Sequence, residues 1–334
     1  MGMGMAKPKQ KLKFAFYWAA SCGGCEIGVL DIDEKILDVV ELADIVFWPV
    51  ALDVKYKDVE AMPDGFIDVC FFNGAVRTEE QEHLAKLLRK KSKVLVAFGA
   101  CSYTGGVPGL ANLADREEIF ARAYLESPST ENPQRIVPKT STRVKEGELK
   151  LPEFYDTVKT LDQTVEVDYY LPGCPPPPNL ILKAVEAIAK GELPPRGSVL
   201  APLKSVCDEC PRNKTKPEKL SISQVKRPYE VELDPEKCFL AQGIICMGPA
   251  TRGGCEARCL NGNMPCTGCH GPCPNEVDQG AAMISALSSI LGVEGEREAG
   301  YDPQKLVDQI VDPVGTFYMY TLPASVLGRR VKKK

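Results

Sequence analysis

Unbroken apolar runs alternate with two-faced segments through the first half of the chain. LKFAFYW (12–18), ADIVFWPV (43–50), FIDVCFF (66–72) and KVLVAFG (93–99) have the length and composition of strands covered on both faces. Between them, Gly28–Leu42 puts Val29, Ile32, Ile36, Val39 and Val40 on one helical stripe, and Thr78–Lys91 does the same with Leu84, Leu87 and Leu88. Thr78 followed by Glu79 and Glu80 opens a helix well, with acid at the positive end of its dipole. VEVDYYLPG (165–173) predicts a fifth strand, and Asn179–Lys190 a helix closed by Gly191. Strands that alternate with helices predict an α/β fold with a doubly wound parallel sheet.

The pattern changes at GELPPRGSVLAPLKS (191–205), whose prolines and glycines mark a junction. We therefore expect two domains, residues 1–195 and 196–334, which suits a chain of 334 residues. Beyond the junction, periodic signals vanish until a helix predicted over Val277–Leu291. Such a stretch is expected to bury little core and to be held by metal ligation instead. Ser127–Pro138 is read as a polar loop insertion in the first domain.

Cysteine usage changes the picture most. Nine of the fourteen cysteines fall between 207 and 273, in the order Cys207, Cys210, Cys238, Cys246, Cys255, Cys259, Cys266, Cys269 and Cys273. Four of the others, Cys22, Cys25, Cys101 and Cys174, each follow directly after a predicted strand. Loops at the carboxyl ends of a doubly wound sheet share one edge, so these four should converge, which is the ligand count of one 4Fe–4S cluster. Gly23, Gly24, Gly99 and Gly173 allow the close backbone approach this needs. Cys70 lies inside FIDVCFF and is expected in the core.

Disulfides are disfavoured. The N-terminus has basic residues but no apolar run of signal-peptide length, and no stretch of about eighteen apolar residues occurs, so a cytoplasmic protein without a membrane span is expected. Thiolate-rich sites with few histidines, here His83 and His270, favour zinc or iron–sulfur clusters. A net charge of −4 with mixed signs gives no reason to expect nucleic acid.

The succession CGGC, FGAC, LPGCPP, C-x2-C, CMGPATRGGC and PCTGC resembles the small subunit of nickel–iron hydrogenases over residues of about 12–285. CGGCEIGVLDIDE, VFWPVALDVK, GAVRTEEQ and GGVPGLANL resemble, more narrowly, its methyl-viologen-reducing, F420-non-reducing branch. The resemblance implies a flavodoxin-like domain with a proximal cluster on Cys22, Cys25, Cys101 and Cys174, then an irregular domain with two more clusters. It implies a distal cluster on Cys207, Cys210, Cys238 and Cys246, with Cys207 where many relatives have histidine. It implies a medial cluster on Cys255, Cys266 and Cys269, with Cys259 favoured as fourth ligand because one helical turn would bring it beside Cys255. Cys273 remains the alternative, since Cys266-x2-Cys269-x3-Cys273-Pro274 has the spacing of a ferredoxin run.

The implied function is an oxidoreductase subunit that carries electrons through three 4Fe–4S clusters from a nickel–iron large subunit. The electrons would pass to a small delta-type iron–sulfur subunit and heterodisulfide reductase. The alternatives are a quinone-reductase-type iron–sulfur subunit and a zinc-binding interaction protein. Glu26 is expected as a helix-start carboxylate, His270 at the surface or behind the ligands, Trp18 and Trp48 in core or interface. The Gly105, Gly106 and Pro108 turn is expected to shape a partner-facing loop.

Overall fold

The computed structural model describes residues 11–292 and 303–330. The chain begins with β1 (Leu12–Trp18), α1 (Gly24–Leu30), α2 (Ile36–Leu42), β2 (Ala43–Phe47), α3 (Tyr56–Ala61) and β3 (Ile67–Asn73). It continues through β4 (Val76–Thr78), α4 (Glu79–Lys91), β5 (Ser92–Phe98), α5 (Ala100–Thr104) and α6 (Arg116–Ala121). Then come β6 (Ser141–Val144), β7 (Gly147–Lys150), β8 (Phe154–Lys159), β9 (Tyr169–Leu171) and α7 (Pro178–Lys190). The central sheet has the order β2-β1-β3-β5-β9 and every pairing in it is parallel. That is the flavodoxin-like order, with the chain reversing direction across the sheet beside β1.

Both faces of the sheet are covered, which is why its strands read as continuous apolar runs. Phe14 and Phe16 of β1, Val69 and Phe71 of β3, and Val96 and Phe98 of β5 share one core with Val29, Val39, Leu42, Leu180 and Val185 from α1, α2 and α7. Ala15, Tyr17, Cys70, Phe72, Leu95 and Ala97 point the other way, against Leu84, Ala85 and Leu88 of α4. Thr78 caps α4 as expected: Gln81 N donates to Thr78 Oγ1 at 3.3 Å, while Thr78 N donates to Gln81 Oε1 at 3.1 Å. Gly191 closes α7 in the left-handed conformation.

Three expectations need correction. The single helix over Gly28–Leu42 is two, because Asp33 turns left-handed (φ 55) and a 3-10 turn spans Asp33–Lys35. Aspartate is a poor helix former that tolerates this conformation, so DIDE interrupts an otherwise continuous stripe. Second, the cysteine-rich region does bury a core. Val206, Phe239, Leu240, Ile244, Met247 and Leu260 pack with Met283 and Leu287 of the helix Gln279–Ser288 and with Phe317 and Leu322. Its apolar residues are scattered among turns and therefore leave no period for sequence reading to find.

The third correction concerns the C-terminal segment, which returns to the sheet domain past the short helices Pro303–Val307 and Pro313–Phe317. Tyr320 O accepts from Thr104 Oγ1 at 2.7 Å and from Gly106 N at 3.0 Å, and Gln163 Nε2 donates to Pro323 O at 2.8 Å. A Cβ on Gly105 or Gly109 would stand 2.2 or 2.4 Å from Pro323. The glycine turn thus receives the chain's own Pro323.

Candidate metal centre

Cys22 follows β1, Cys25 lies in α1, Cys101 in α5 just after β5, and Cys174 just after β9, so all four stand at the carboxyl edge of the sheet. Ala100 N donates to Gly173 O at 2.7 Å and Gly99 N to Leu171 O at 2.8 Å, which locks the Cys101 and Cys174 loops together. Gly99 (φ 88) is required twice over: its backbone is left-handed, and a Cβ there would come within 2.4 Å of Cys25 Sγ. Gly106 (φ 58) does the same for Cys101 Sγ, at 2.5 Å. Burial pushes the Cys25 thiol well up, and the charges of Cys101, Glu26, Cys174 and Cys22 add to it. Cys101 is pushed up to about 12 by burial, then by Cys174 and Cys22. These four sulfurs share one electrostatic neighbourhood, and as thiolates they need a cationic occupant.

A second group, Cys207, Cys210, Cys238 and Cys246, lines one cavity of about 440 Å³ together with Arg212 and Phe239. Burial drives Cys207 up to about 12, with further push from Cys246, Cys210 and Cys238 and a small relief from Lys216. Cys246 rises to about 11 by burial, eased by the backbone of Gly248 and Cys266.

The third group, Cys255, Cys259, Cys266 and Cys269, lines a cavity of about 200 Å³ that also reaches Cys174 and His270. Burial raises Cys269 to about 12, and the charges of Cys255, Cys174 and Cys259 act in the same direction. The helical turn expected to join Cys259 to Cys255 is not formed. The helix α8 (Arg258–Asn261) begins only after Glu256 and Ala257, both left-handed at φ 58 and 51. Cys273 stands outside the cavity: its Sγ donates to Pro249 O at 3.3 Å, and it faces Arg252, Glu276 and Asp208.

The three groups adjoin in series. Cys174, of the first, lines the cavity of the third. Cys266 N, of the third, donates to Cys246 Sγ of the second at 3.3 Å. Each group offers four thiols, the ligand count and donor type of an iron–sulfur cluster, while Asp208 also lines the second cavity and Asp31 and His270 the third. In number and kind, the thiols present fit an iron–sulfur cluster.

Cys70 is fully buried in β3 and joins no group. Glu26 sits in the first turn of α1 but is only 6% exposed, and its Oε2 accepts from Asn73 Nδ2 at 2.7 Å. Burial raises its carboxyl above the ordinary range. His270 is interior, 1% exposed, with Nδ1 3.4 Å from Gly253 O, and burial lowers it to about 4, so of its two expected places it takes the one behind the ligands. Trp48 packs on Phe16 with ring centroids 4.7 Å apart, while Trp18 is partly exposed beside Gly23. Sequence reasoning overlooked Arg212 and Asn73; the placement of Arg212 two residues after Cys210 was the available signal.

Residues 22–188, half of the chain, match the family described as NADH ubiquinone oxidoreductase, 20 Kd subunit. The F420-non-reducing hydrogenase iron-sulfur subunit of Archaeoglobus profundus is 45% identical, covering 96% of this chain and 99% of that one. The corresponding F420-non-reducing hydrogenase subunit of Methanothermobacter marburgensis is 37% identical, covering 97% and 99%. A solved chain of NAD+-reducing [NiFe]-hydrogenase in the H2-reduced state is 28% identical with a TM-score of 0.47, covering 55% of this chain and 93% of that one. The sequence matches define a hydrogenase small subunit, part of an oxidoreductase complex. The chain belongs to the family of F420-non-reducing hydrogenase iron–sulfur subunits. Among the described residues, no helix is long and apolar enough to cross a membrane.

Proposed function

We propose that this chain is the electron conductor of a cytoplasmic nickel–iron hydrogenase, linking H2 oxidation in a separate large subunit to a downstream iron–sulfur or flavin partner. Cys22, Cys25, Cys101 and Cys174 would hold the proximal 4Fe–4S cluster. Cys255, Cys259, Cys266 and Cys269 would hold the medial one, and Cys207, Cys210, Cys238 and Cys246 the distal one. When bound, such clusters supply one-electron stations whose potentials follow local charge, hydrogen bonds and burial. The observation that carries the reading is the serial contact of the three thiol groups, through Cys174 at one junction and the Cys266–Cys246 hydrogen bond at the other.

This chain's own residues do three things in that scheme. Gly99 and Gly106 let the backbone close on Cys25 and Cys101, which are withdrawn from water, while Cys22 stays exposed. The Cys266 amide stabilises charge on Cys246. Trp18 at the carboxyl end of β1, and Ile27, Leu30, Val50 and Leu52 in the segments after β1 and β2, leave apolar side chains exposed on the edge that bears the first group. That surface supports a large subunit seated on the proximal edge, with an interface on the order of 2,000 Å². A small delta-type iron–sulfur subunit and heterodisulfide reductase would receive the electrons from the distal side.

Anaerobic purification of the native complex tests this. The expected result is co-purification of a nickel-containing large subunit and an iron–sulfur partner, with at least about twelve iron and about twelve acid-labile sulfide per copy of this chain, the partners' own iron and sulfide adding to that. Zinc without sulfide would end the reading.

A further inference from the structure

We infer that Arg212 is the positioning residue of the distal cysteine group, fixing Cys210 against Cys238 and raising the reduction potential of the cluster they take. This rests on the reading of Cys207, Cys210, Cys238 and Cys246 as ligands of one cluster.

Arg212 lies in the short turn Pro211–Thr215 and is 3% exposed. Its Nη1 donates to Asp234 O at 2.9 Å and to Lys237 O at 3.1 Å, the chain that leads directly into Cys238. Its Nη2 donates to Asn263 Oδ1 at 2.7 Å, in the loop between Cys259 and Cys266. The guanidinium lies over the Phe239 ring, 4.2 Å from its centroid. The same turn is tied to the second segment once more, because Thr215 Oγ1 donates to Arg212 O at 2.8 Å and accepts from Cys238 N at 3.0 Å. One planar fork thereby joins three cysteine-bearing segments, a geometry that a lysine cannot reproduce.

The charge of Arg212 has no counter-ion within the described residues. Its acceptors are two carbonyls and an amide, all neutral, and among the described residues no carboxylate pairs with it. Its Nε is buried without a partner, and the residue lines the cavity shared by the four thiols. A buried cation left uncompensated is strongly unfavourable. The anionic, thiolate-ligated group supplies the compensation, and reduction adds one further negative charge to it. A fixed cation at the wall therefore favours the reduced form, through the local-charge lever on cluster potential. Lys216 also faces Cys207, but it is exposed and its effect is screened by solvent.

The test is a potentiometric titration of the purified complex followed by electron paramagnetic resonance, with iron and sulfide measured on the same samples. Arg212→Gln keeps a polar stem and removes the charge. The expected result is wild-type iron content, with one reductive step moved to lower potential. At that step's original midpoint the reduced-to-oxidised ratio should fall roughly tenfold, about 59 mV for one electron. The other steps should stay where they were. Arg212→Lys should recover more than half of the shift while losing iron faster to a chelator. Three steps at wild-type potentials in Arg212→Gln would overturn the inference.

Should Arg212→Gln fail to assemble, Asn263→Asp provides the same test without altering the arginine. This isosteric change sets a carboxylate on Nη2 and neutralises the buried charge. The same step should again move down in potential, and no movement would overturn the inference. Iron and sulfide for fewer than three clusters in the wild-type complex would instead remove the reading on which it stands.

Discussion

The backbone amide of Cys266 donates a hydrogen bond to the sulfur of Cys246 at 3.3 Å. One residue lines the cavity of the third cysteine group and the other lines that of the second, so the two groups are separated by a single hydrogen bond. Cys174 makes the corresponding junction between the sheet edge and the third group. This adjacency underlies the view of the chain as a conductor.

The fourth thiol of the medial group decides between two spacings. Cys259 lines the cavity with Cys255, Cys266 and Cys269, whereas Cys273 donates to Pro249 O outside it. Cys259→Ala should yield a 3Fe–4S signal in the oxidised complex by electron paramagnetic resonance, and Cys273→Ala should leave the spectrum unchanged. The opposite pair of results would transfer the ligand to Cys273.

Glu26 sets a pH dependence. Burial raises its carboxyl pKa, so the folded protein holds this proton more tightly than the unfolded chain. The proton's contribution to stability is full below the unfolded carboxyl pKa and is lost as pH rises through the raised folded value. Glu26→Gln keeps an acceptor for Asn73 and removes the charge. The apparent thermal midpoint of the variant complex, relative to wild type, should therefore be higher at pH 8 than at pH 5. A difference that is constant across that range would refute the assignment.

Much of the sheet domain was legible because its signals are local. β1 and α4 appear where the apolar runs and the Thr78 cap put them, and the strand-exit cysteines gather at one edge because the topology brings strand ends together. The cysteine-rich domain was less legible, since Phe239, Met247 and Met283 meet through turns that follow no period. Glu256 and Ala257 could not be foreseen as left-handed, because neither is a residue that favours it. Nor could the Pro323 contact with Gly105 and Gly109, which joins positions far apart in the sequence. For His270, the sequence left two places open, the surface or behind the ligands, and the structure takes the second.

The most direct test of conduction is Cys101→Ser in the intact complex, since Cys101 is buried within the group nearest the proposed large-subunit face. Nickel content and H2/D2 exchange should persist, because they belong to the large subunit. H2-driven reduction of a viologen dye should fall by at least about a hundredfold, equivalent to roughly 2.7 kcal/mol in the transfer barrier. Dye reduction within about twofold of wild type, with nickel retained, would contradict the account.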